Sequence, residues 1–228
     1  RYNILAEMTA TERGGLHRYT FPASDEAAII LDLVHGGCFD RPEDLFAEAV
    51  SDTRVVGRRH SWGWSNNQKV YFVIEFSKPF DKFEPIGENG FYYRIHFKTE
   101  EGEQIGVKVA LSSTSPAGAE LNFSTEVKDK DFDTVRKETR AKWQNELRKI
   151  RIYGATEEQN EIFYTGMYHM YVAPSLFSDV DGTYRGADNE IHENPGYHTY
   201  TTFSLWDTYR AKLPLMTITH PELMDDIT

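Results

Sequence analysis

The sequence has one cysteine, no long apolar run and fewer basic than acidic residues, and each shortage excludes a class of protein. Cys38 alone cannot form an intrachain disulfide or a cysteine zinc site, so we expect it to be a small buried apolar residue. No stretch approaches the roughly 18 uninterrupted apolar residues that a membrane-spanning helix requires. Lys and Arg total 25 against 36 Asp and Glu, a formal net charge of −11 that argues against nucleic-acid binding.

The remaining composition is typical of a folded protein. Hydrophobic residues make up 39% of the 228 residues, enough to bury a core in one large domain or two small ones. The densest basic stretch, 136–151, alternates with acidic residues, which is typical of a helix face in solvent. The chain begins with Arg1 and carries no signal-peptide pattern, so we expect its true N-terminus to be missing.

The first half of the sequence predicts β-strands. In one segment Tyr93, Ile95 and Phe97 alternate with polar residues, which places the apolar side chains on one face of a strand. Short strands separated by Gly, Pro and Asn favour an antiparallel sandwich over alternating strand and helix units. The predicted strands lie at 17–21, 27–34, 53–59, 70–76, 91–97 and 104–111.

The second half predicts helices. The first predicted helix spans about 20 residues from 131, and Gly154 lies just past its end. Thr156 and Gln159 form a capping box that begins the second helix. Pro174 ends that helix, and a third begins at Ser204, whose hydroxyl is expected to cap it. The first helix is predicted from apolar residues at helical spacing, namely Phe132, Val135, Trp143, Leu147 and Ile150.

These patterns predict a protein with a β part followed by an α part. We expect a β-sandwich at 1–125, a linker helix at 126–154 and the start of an all-helical domain at 155–228. A long polar loop at 174–202 interrupts the helices, and loops of this length are often functional.

Two segments of that loop resemble metal sites only superficially. An EF-hand register for the acidic run at 178–186 would place Phe177 at the first ligand position, so a hairpin that turns at Asp181-Gly182 is favoured over calcium binding. In that hairpin Arg185 can pair with a nearby Asp. The residues His192, Glu193 and His198 lack the helical spacing of a zinc motif, and we expect no metal there.

An aromatic and charged cluster follows the loop. Aromatic faces stack on the C–H surfaces of sugars while a carboxylate accepts hydrogen bonds from hydroxyls, so the cluster would suit a carbohydrate pocket. Core packing with a helix cap is the alternative, because Asp207 in a first helical turn is favoured by the helix dipole in any case. The cluster consists of Tyr197, Tyr200, Phe203, Trp206, Asp207, Tyr209 and Arg210.

Three blocks in the second half resemble one enzyme family. They read YTGMYH at 164–169, APSLFSDVDGTYRG at 173–186 and YTTFSLWDTYR at 200–210. Together with Gly63-Trp64 and the segment 70–80, they resemble glycoside hydrolase family 92, the exo-acting α-mannosidases. The resemblance covers nearly the whole chain.

The resemblance implies a two-domain, calcium-dependent, inverting enzyme. Its β-sandwich would be joined by helices to an (α/α)6 barrel, with the active site between the two domains. The chain would then be a fragment, with the catalytic acid, the base and the calcium ligands expected outside it. The implied substrates are mannose-containing glycans, with α-1,2-linked terminal mannose as the expected substrate.

Trp206 and Asp207 match the positions that this family uses to hold the terminal mannose. The resemblance implies apolar contact of Trp206 with the sugar and hydrogen bonds from the hydroxyls to Asp207. Arg185 and Asp181 are further candidates for shaping the pocket.

The resemblance also implies an exported protein, whether secreted, periplasmic or at the cell surface. The partners would be the glycan and the remainder of the protein's own catalytic domain. The alternatives are a noncatalytic carbohydrate-binding module and a helical protein that docks on a partner.

Overall fold

The computed structural model describes residues 2–37, 39–88, 90–193 and 196–227. Cys38 lies outside the described residues, so the burial predicted for it stays a prediction. The strands are β1 (Leu5–Ala10), β2 (Gly14–Phe21), β3 (Ser24–Asp32), β4 (Arg41–Ala49), β5 (Arg54–Trp62), β6 (Gln68–Phe76), β7 (Lys82–Ile86), β8 (Tyr92–Thr99), β9 (Glu103–Ser112), β10 (Tyr184–Arg185) and β11 (Ile191–His192). The helices are α1 (Pro116–Glu126), α2 (Phe132–Leu147), α3 (Glu157–Met170), α4 (Leu205–Thr208), α5 (Lys212–Thr219) and α6 (Pro221–Ile227).

Two antiparallel sheets form the β part. One has six strands in the order β1-β2-β9-β6-β5-β4, and the other has three in the order β3-β8-β7. The predicted sandwich followed by helices is confirmed, and each of the six predicted strand segments falls on a strand. Strands β1, β4 and β7 were not predicted.

The main core lies between the two sheets. Strand β8 illustrates why, since Tyr93, Ile95 and Phe97 are buried while Arg94 and Lys98 on the opposite face are exposed. This alternation places every second side chain of the strand in the core. The rings of Phe83 and Tyr93 stack with centroids 4.8 Å apart, which fixes β7 against β8.

A second core covers the outer face of the six-stranded sheet. Helix α1 packs there, beginning after Ser115, whose Oγ accepts a hydrogen bond from the Gly118 N–H, and with Pro116 in its first turn. This helix lies within the segment assigned to the sandwich and was not predicted. The buried residues of this core are Leu16, Val73, Ala110, Ala119, Phe123, Val127 and Val135.

Helix α2 follows as predicted, with Asp131 as its N-cap. The five residues of its predicted apolar stripe are buried or half-buried, although Ile150 lies after the end of the helix. Helix α3 opens with the predicted capping box, in which Thr156 Oγ1 accepts from the Gln159 N–H at 3.2 Å and Gln159 Oε1 accepts from the Thr156 N–H at 2.9 Å. No helix in the described part of the chain is long and apolar enough to cross a membrane.

The capping box supports a prediction about stability. Thr156→Ala removes the acceptor for the Gln159 N–H and is expected to lower the free energy of unfolding by about 1 kcal/mol. Urea denaturation followed by circular dichroism measures the change. The control is Thr165→Ala, an exposed position within the same helix, where alanine is the better helix former. Equal losses in the two variants would contradict a capping role.

Candidate functional site

The loop after α3 is fixed to the end of the sandwich by a buried carboxylate. Asp179 Oδ2 accepts hydrogen bonds from Ser112 Oγ at 2.8 Å and Thr114 Oγ1 at 2.5 Å. Its Oδ1 accepts from Asn122 Nδ2 at 2.7 Å. The donors come from the end of β9, the turn that follows it and helix α1, so one side chain joins three parts of the chain.

Arg185 is a second anchor, and the pairing predicted for it is wrong. Its Nε donates to the Ser113 carbonyl at 2.9 Å and its Nη2 to the Thr114 carbonyl at 2.8 Å. Its Nη1 donates to the Asn189 carbonyl at 2.8 Å. Within the described residues no Asp pairs with Arg185, because its guanidinium N–H groups donate to the backbone carbonyls of Ser113, Thr114 and Asn189.

Asp181 is an exposed turn residue. The Gly182 N–H donates to the Asp179 carbonyl at 2.9 Å, and Asp181 Oδ1 accepts from the Thr183 N–H at 2.9 Å. Gly182 adopts φ +85°, which favours glycine at this position. The predicted turn is therefore present, but the hairpin of β10 and β11 follows it and turns at 186–190.

The histidines of the loop pair with separate carboxylates. His192 Nε2 lies 2.9 Å from Asp188 Oδ2, and this hydrogen bond lowers the pKa of the Asp188 carboxyl. His198 Nδ1 lies 3.1 Å from Asp226 Oδ2. In the described ranges no group of three or more His, Cys, Asp or Glu side chains could hold a metal ion.

The loop returns to the helices through a short antiparallel pairing that we name the loop bridge, formed by 175–177 and 199–201. The Phe177 N–H donates to the Thr199 carbonyl at 2.7 Å, and the Thr201 N–H to the Ser175 carbonyl at 2.8 Å. Tyr200 pairs with Leu176 and is half-buried. Burial, followed by the nearby Asp226 and Glu12 carboxylates, raises the pKa of the Tyr200 phenol.

Helix α4 begins shortly after the loop bridge and carries the predicted sugar-holding pair. Trp206 is 83% exposed, and Asp207 is also exposed in this single helical turn. The predicted cap by the Ser204 hydroxyl is wrong, since its side chain makes no capping hydrogen bond. The Ser204 carbonyl instead accepts from Thr208 Oγ1 at 2.9 Å, so backbone and Thr208 hold the turn.

The four predicted site residues divide into two pairs. Trp206 and Asp207 lie side by side on α4, with side chains in solvent. Arg185 and Asp181 lie on the anchored loop, and no hydrogen bond or ion pair in the described part of the chain joins them to α4. The structure therefore gives Arg185 an anchoring contact and leaves Asp207 free to accept hydrogen bonds from a ligand.

A cavity of about 440 Å³ lies where β1, α2 and the later helices meet. Its walls include Trp143 and Tyr171, whose ring centroids are 6.1 Å apart. Its ionisable residues Lys142, Glu12, His220 and Glu146 form two pairs, since Lys142 Nζ lies 2.8 Å from Glu12 Oε1 and His220 Nε2 lies 2.7 Å from Glu146 Oε2. Neither Trp206 nor Asp207 lines this cavity. The lining residues are Ala10, Thr11, Glu12, Thr139, Lys142, Trp143, Glu146, Tyr171, His220 and Leu223.

Sequence reasoning missed Asp179 and its donors. The hydroxyl-rich run at 112–115 before Pro116 resembles an ordinary turn, and Asn122 lies 57 positions from Asp179 in the sequence. One local signal was available in Gly118. A Cβ there would lie 2.3 Å from Asp179 Oδ2, so a glycine is required where α1 meets the carboxylate.

Comparison with family models covers both halves of the chain. Residues 1–112 match the model described as the glycosyl hydrolase family 92 N-terminal domain. Residues 118–228 match the model described as the glycosyl hydrolase family 92 catalytic domain. A search of the curated proteins found no match.

Solved structures give the same result. The chain is similar to the family 92 α-mannosidase BT3965 from Bacteroides thetaiotaomicron, with 32% identity and a TM-score of 0.87 over 99% of this chain and 32% of that one. A structure of that enzyme in complex with mannoimidazole matches with 32% identity and a TM-score of 0.83 over 95% of this chain and 30% of that one. The inverting mannosidase BT2199 of the same organism matches with 25% identity and a TM-score of 0.79, over 94% of this chain and 30% of that one.

These matches also define how much of such an enzyme is present. The chain spans about a third of the length of the solved structures that it matches. Because the two family models match consecutive segments that together account for nearly all of the sequence, the chain belongs to glycoside hydrolase family 92.

Proposed function

We propose that the whole protein is an exo-α-mannosidase that removes terminal α-linked mannose from glycans. The observation that carries the proposal is the likeness to an α-mannosidase of 32% identity over 99% of this chain. A second structure of that relative is a complex with mannoimidazole, which supports mannose as the sugar recognised. We further propose that the enzyme is exported and that α-1,2-linked mannose is its preferred substrate.

Trp206 and Asp207 would hold the terminal sugar. The exposed indole of Trp206 offers an apolar face to the C–H surface of a hexose, and Asp207 offers two acceptor oxygens to its hydroxyls. Both residues are free of hydrogen bonds to other described side chains, so neither role would disrupt the fold. Asp181 would contribute its exposed carboxylate to the pocket from the turn that it occupies. Arg185 would shape the pocket indirectly, because it anchors the backbone of the loop.

The chemistry of hydrolysis would come from outside residues 1–228. An inverting glycosidase needs a carboxylic acid that protonates the leaving oxygen and a carboxylate that activates water, roughly 6.5–9.5 Å apart. We propose that both groups lie in the part of the catalytic domain that this chain does not include. The contribution of this chain would be to bind and orient the terminal sugar.

The side chains of the residues that the structure describes do not by themselves fit calcium. Hard cations prefer several oxygen ligands, and in the described ranges no group of three or more candidate side chains could hold a metal. The carboxylate of Asp179, the most buried in the candidate region, is already bonded to three side chains. We therefore propose a calcium site built by residues outside this chain.

The experiment that tests this function uses the full-length protein with mannobioses linked α-1,2, α-1,3 and α-1,4. Hydrolysis of the α-1,2 substrate is expected to be fastest, and proton NMR is expected to detect the β-anomer of mannose first. Turnover is expected to fall when a chelator is added and to return with calcium. Binding of mannobiose without hydrolysis would overturn the proposal in favour of a noncatalytic carbohydrate-binding module.

A further inference from the structure

Asp179 is a buried carboxylate without a cationic partner among the described residues. It is 3% exposed and accepts hydrogen bonds from Ser112, Thr114 and Asn122. A buried charge is costly unless it is well bonded, and three donors on two oxygens satisfy that requirement. The close approach of Gly118 also brings the first turn of α1, the positive end of the helix dipole, near the carboxylate.

The residues on either side of Asp179 are held by the same part of the fold. The Val180 N–H donates to Asn122 Oδ1 at 3.0 Å. Arg13 Nε donates to the Ser178 carbonyl at 2.7 Å, and its Nη1 pairs with Glu126 Oε1 at 2.6 Å. Residues 178–180 are therefore attached to Arg13 just before β2, to the end of β9 with its following turn, and to α1, with Asp179 at the centre.

This anchor is connected to helix α4 by backbone. Residues 175–177, directly before Ser178, form one side of the loop bridge. The other side, 199–201, leads to Ser204 at the start of α4. The Ser175 N–H also donates to Thr201 Oγ1 at 2.9 Å, which adds a third bond to the bridge. A displacement of residue 179 would therefore be transmitted through the bridge to the residues that precede Trp206.

We propose that Asp179 is a positioning residue that sets the location of Trp206 and Asp207 through the loop bridge. This inference rests on the proposed function, because it assigns to Asp179 the placement of the pair that would hold the terminal mannose. Asp179 itself is buried and touches no substrate. A carboxylate suits this position because it accepts from all three donors at once, whereas an amide has one acceptor oxygen and must direct its N–H groups elsewhere.

The first test is hydrogen–deuterium exchange in full-length Asp179→Asn. We expect the amide exchange rates of residues 175–177 and 199–208 to rise about tenfold. This factor is within the range of interaction energies between residues of one hydrogen-bond network. Asp188→Asn is the matched control, because it removes an exposed carboxylate of the same loop whose hydrogen-bond partners among the described residues are His192 and the Glu190 N–H. Unchanged exchange at 199–208 in Asp179→Asn would overturn the inference.

A milder variant keeps the inference testable if Asp179→Asn does not fold. Thr114→Val keeps the shape of the side chain but removes the hydrogen bond to Asp179 Oδ2. It is expected to raise exchange in the same two segments by a smaller factor. If Asp179→Asn fails to fold, unchanged exchange in a folded Thr114→Val overturns the inference.

The second test is a double-mutant cycle on the rate of mannoside hydrolysis. Asp179→Asn is expected to lower kcat/KM about tenfold, mainly by raising KM, and to lower it by a clearly smaller factor in an Asp207→Ala background, where only Trp206 is left to be positioned. Fully additive losses would contradict positioning. If the wild-type protein hydrolyses no mannoside, the proposed function fails, while the exchange experiment still decides whether Asp179 positions α4.

Discussion

Replacement of Phe123 by alanine is expected to lower the free energy of unfolding by about 3–5 kcal/mol. Phe123 is 0% exposed and lies between α1 and the outer face of the six-stranded sheet. Truncation removes buried apolar surface and leaves a cavity among Leu16, Val73 and Ala110 that a sheet cannot readily close. It also removes the ring beneath the Arg54 guanidinium, which lies 4.8 Å from the ring centroid.

Urea denaturation of the full-length protein, followed by circular dichroism, measures this effect. Leu121→Ala is the matched control, because Leu121 is on the same helix but 36% exposed. Its loss is expected to be well below that of Phe123→Ala, since less of its side chain leaves water on folding. A similar loss in both variants would count against the second core as a source of stability.

The second core explains why some strands were easier to predict than others. Central strands β6 and β9 contribute buried residues to both cores, so their sequences are strongly apolar. Strand β4 lies at an edge of the sheet, carries Pro42 and is largely exposed. Proline and charge are tolerated at an edge because one side of the strand has no partner. Asp44 on this strand forms a salt bridge with Arg58, and its pKa is lowered by that hydrogen bond.

Helix α1 was not predicted because, like β4, it has few apolar residues. Its sequence, PAGAELNFSTE, is rich in small and polar residues, and its buried residues are Ala119, Asn122 and Phe123. Two of these three carry little or no hydrophobic signal, so the helical periodicity is weak. Helix α2 was predicted from its apolar stripe and helix α3 from its capping box, and both signals involve residues close together in sequence.

The same distinction applies to the candidate site. The turn at Asp181-Gly182 depends on local backbone chemistry and was predicted from the sequence. The contacts of Arg185 could not be predicted, because their acceptors are backbone carbonyls about 70 positions away that sequence patterns do not reveal. Asp179 lies within the family block at 173–186, but its burial depends on tertiary contacts that the block does not reveal. The roles of Trp206 and Asp207 stay predictions.

Asp207→Ala in the full-length protein is expected to lower kcat/KM for an α-mannoside by about 10- to 100-fold. Hydrogen bonds to a charged group contribute about 1.5–3 kcal/mol each, and roughly 1.4 kcal/mol corresponds to a factor of ten. Asp207 is exposed on α4 with no partner in the described part of the chain, so its removal should not weaken the fold. Steady-state kinetics and the melting temperature of each variant measure the two effects separately.

Trp206→Ala and Asp25→Ala complete this experiment. Loss of the Trp206 indole is expected to weaken binding in proportion to the apolar area that it buries against the sugar, at about 25 cal/mol per Å². Asp25 is an exposed carboxylate on β3, and its replacement is expected to leave both rate and melting temperature unchanged. If Asp207→Ala retains the wild-type kcat/KM at an unchanged melting temperature, Asp207 does not hold the sugar. If Asp207→Ala and Trp206→Ala both lose rate while Asp25→Ala does not, the terminal mannose binds at the start of α4.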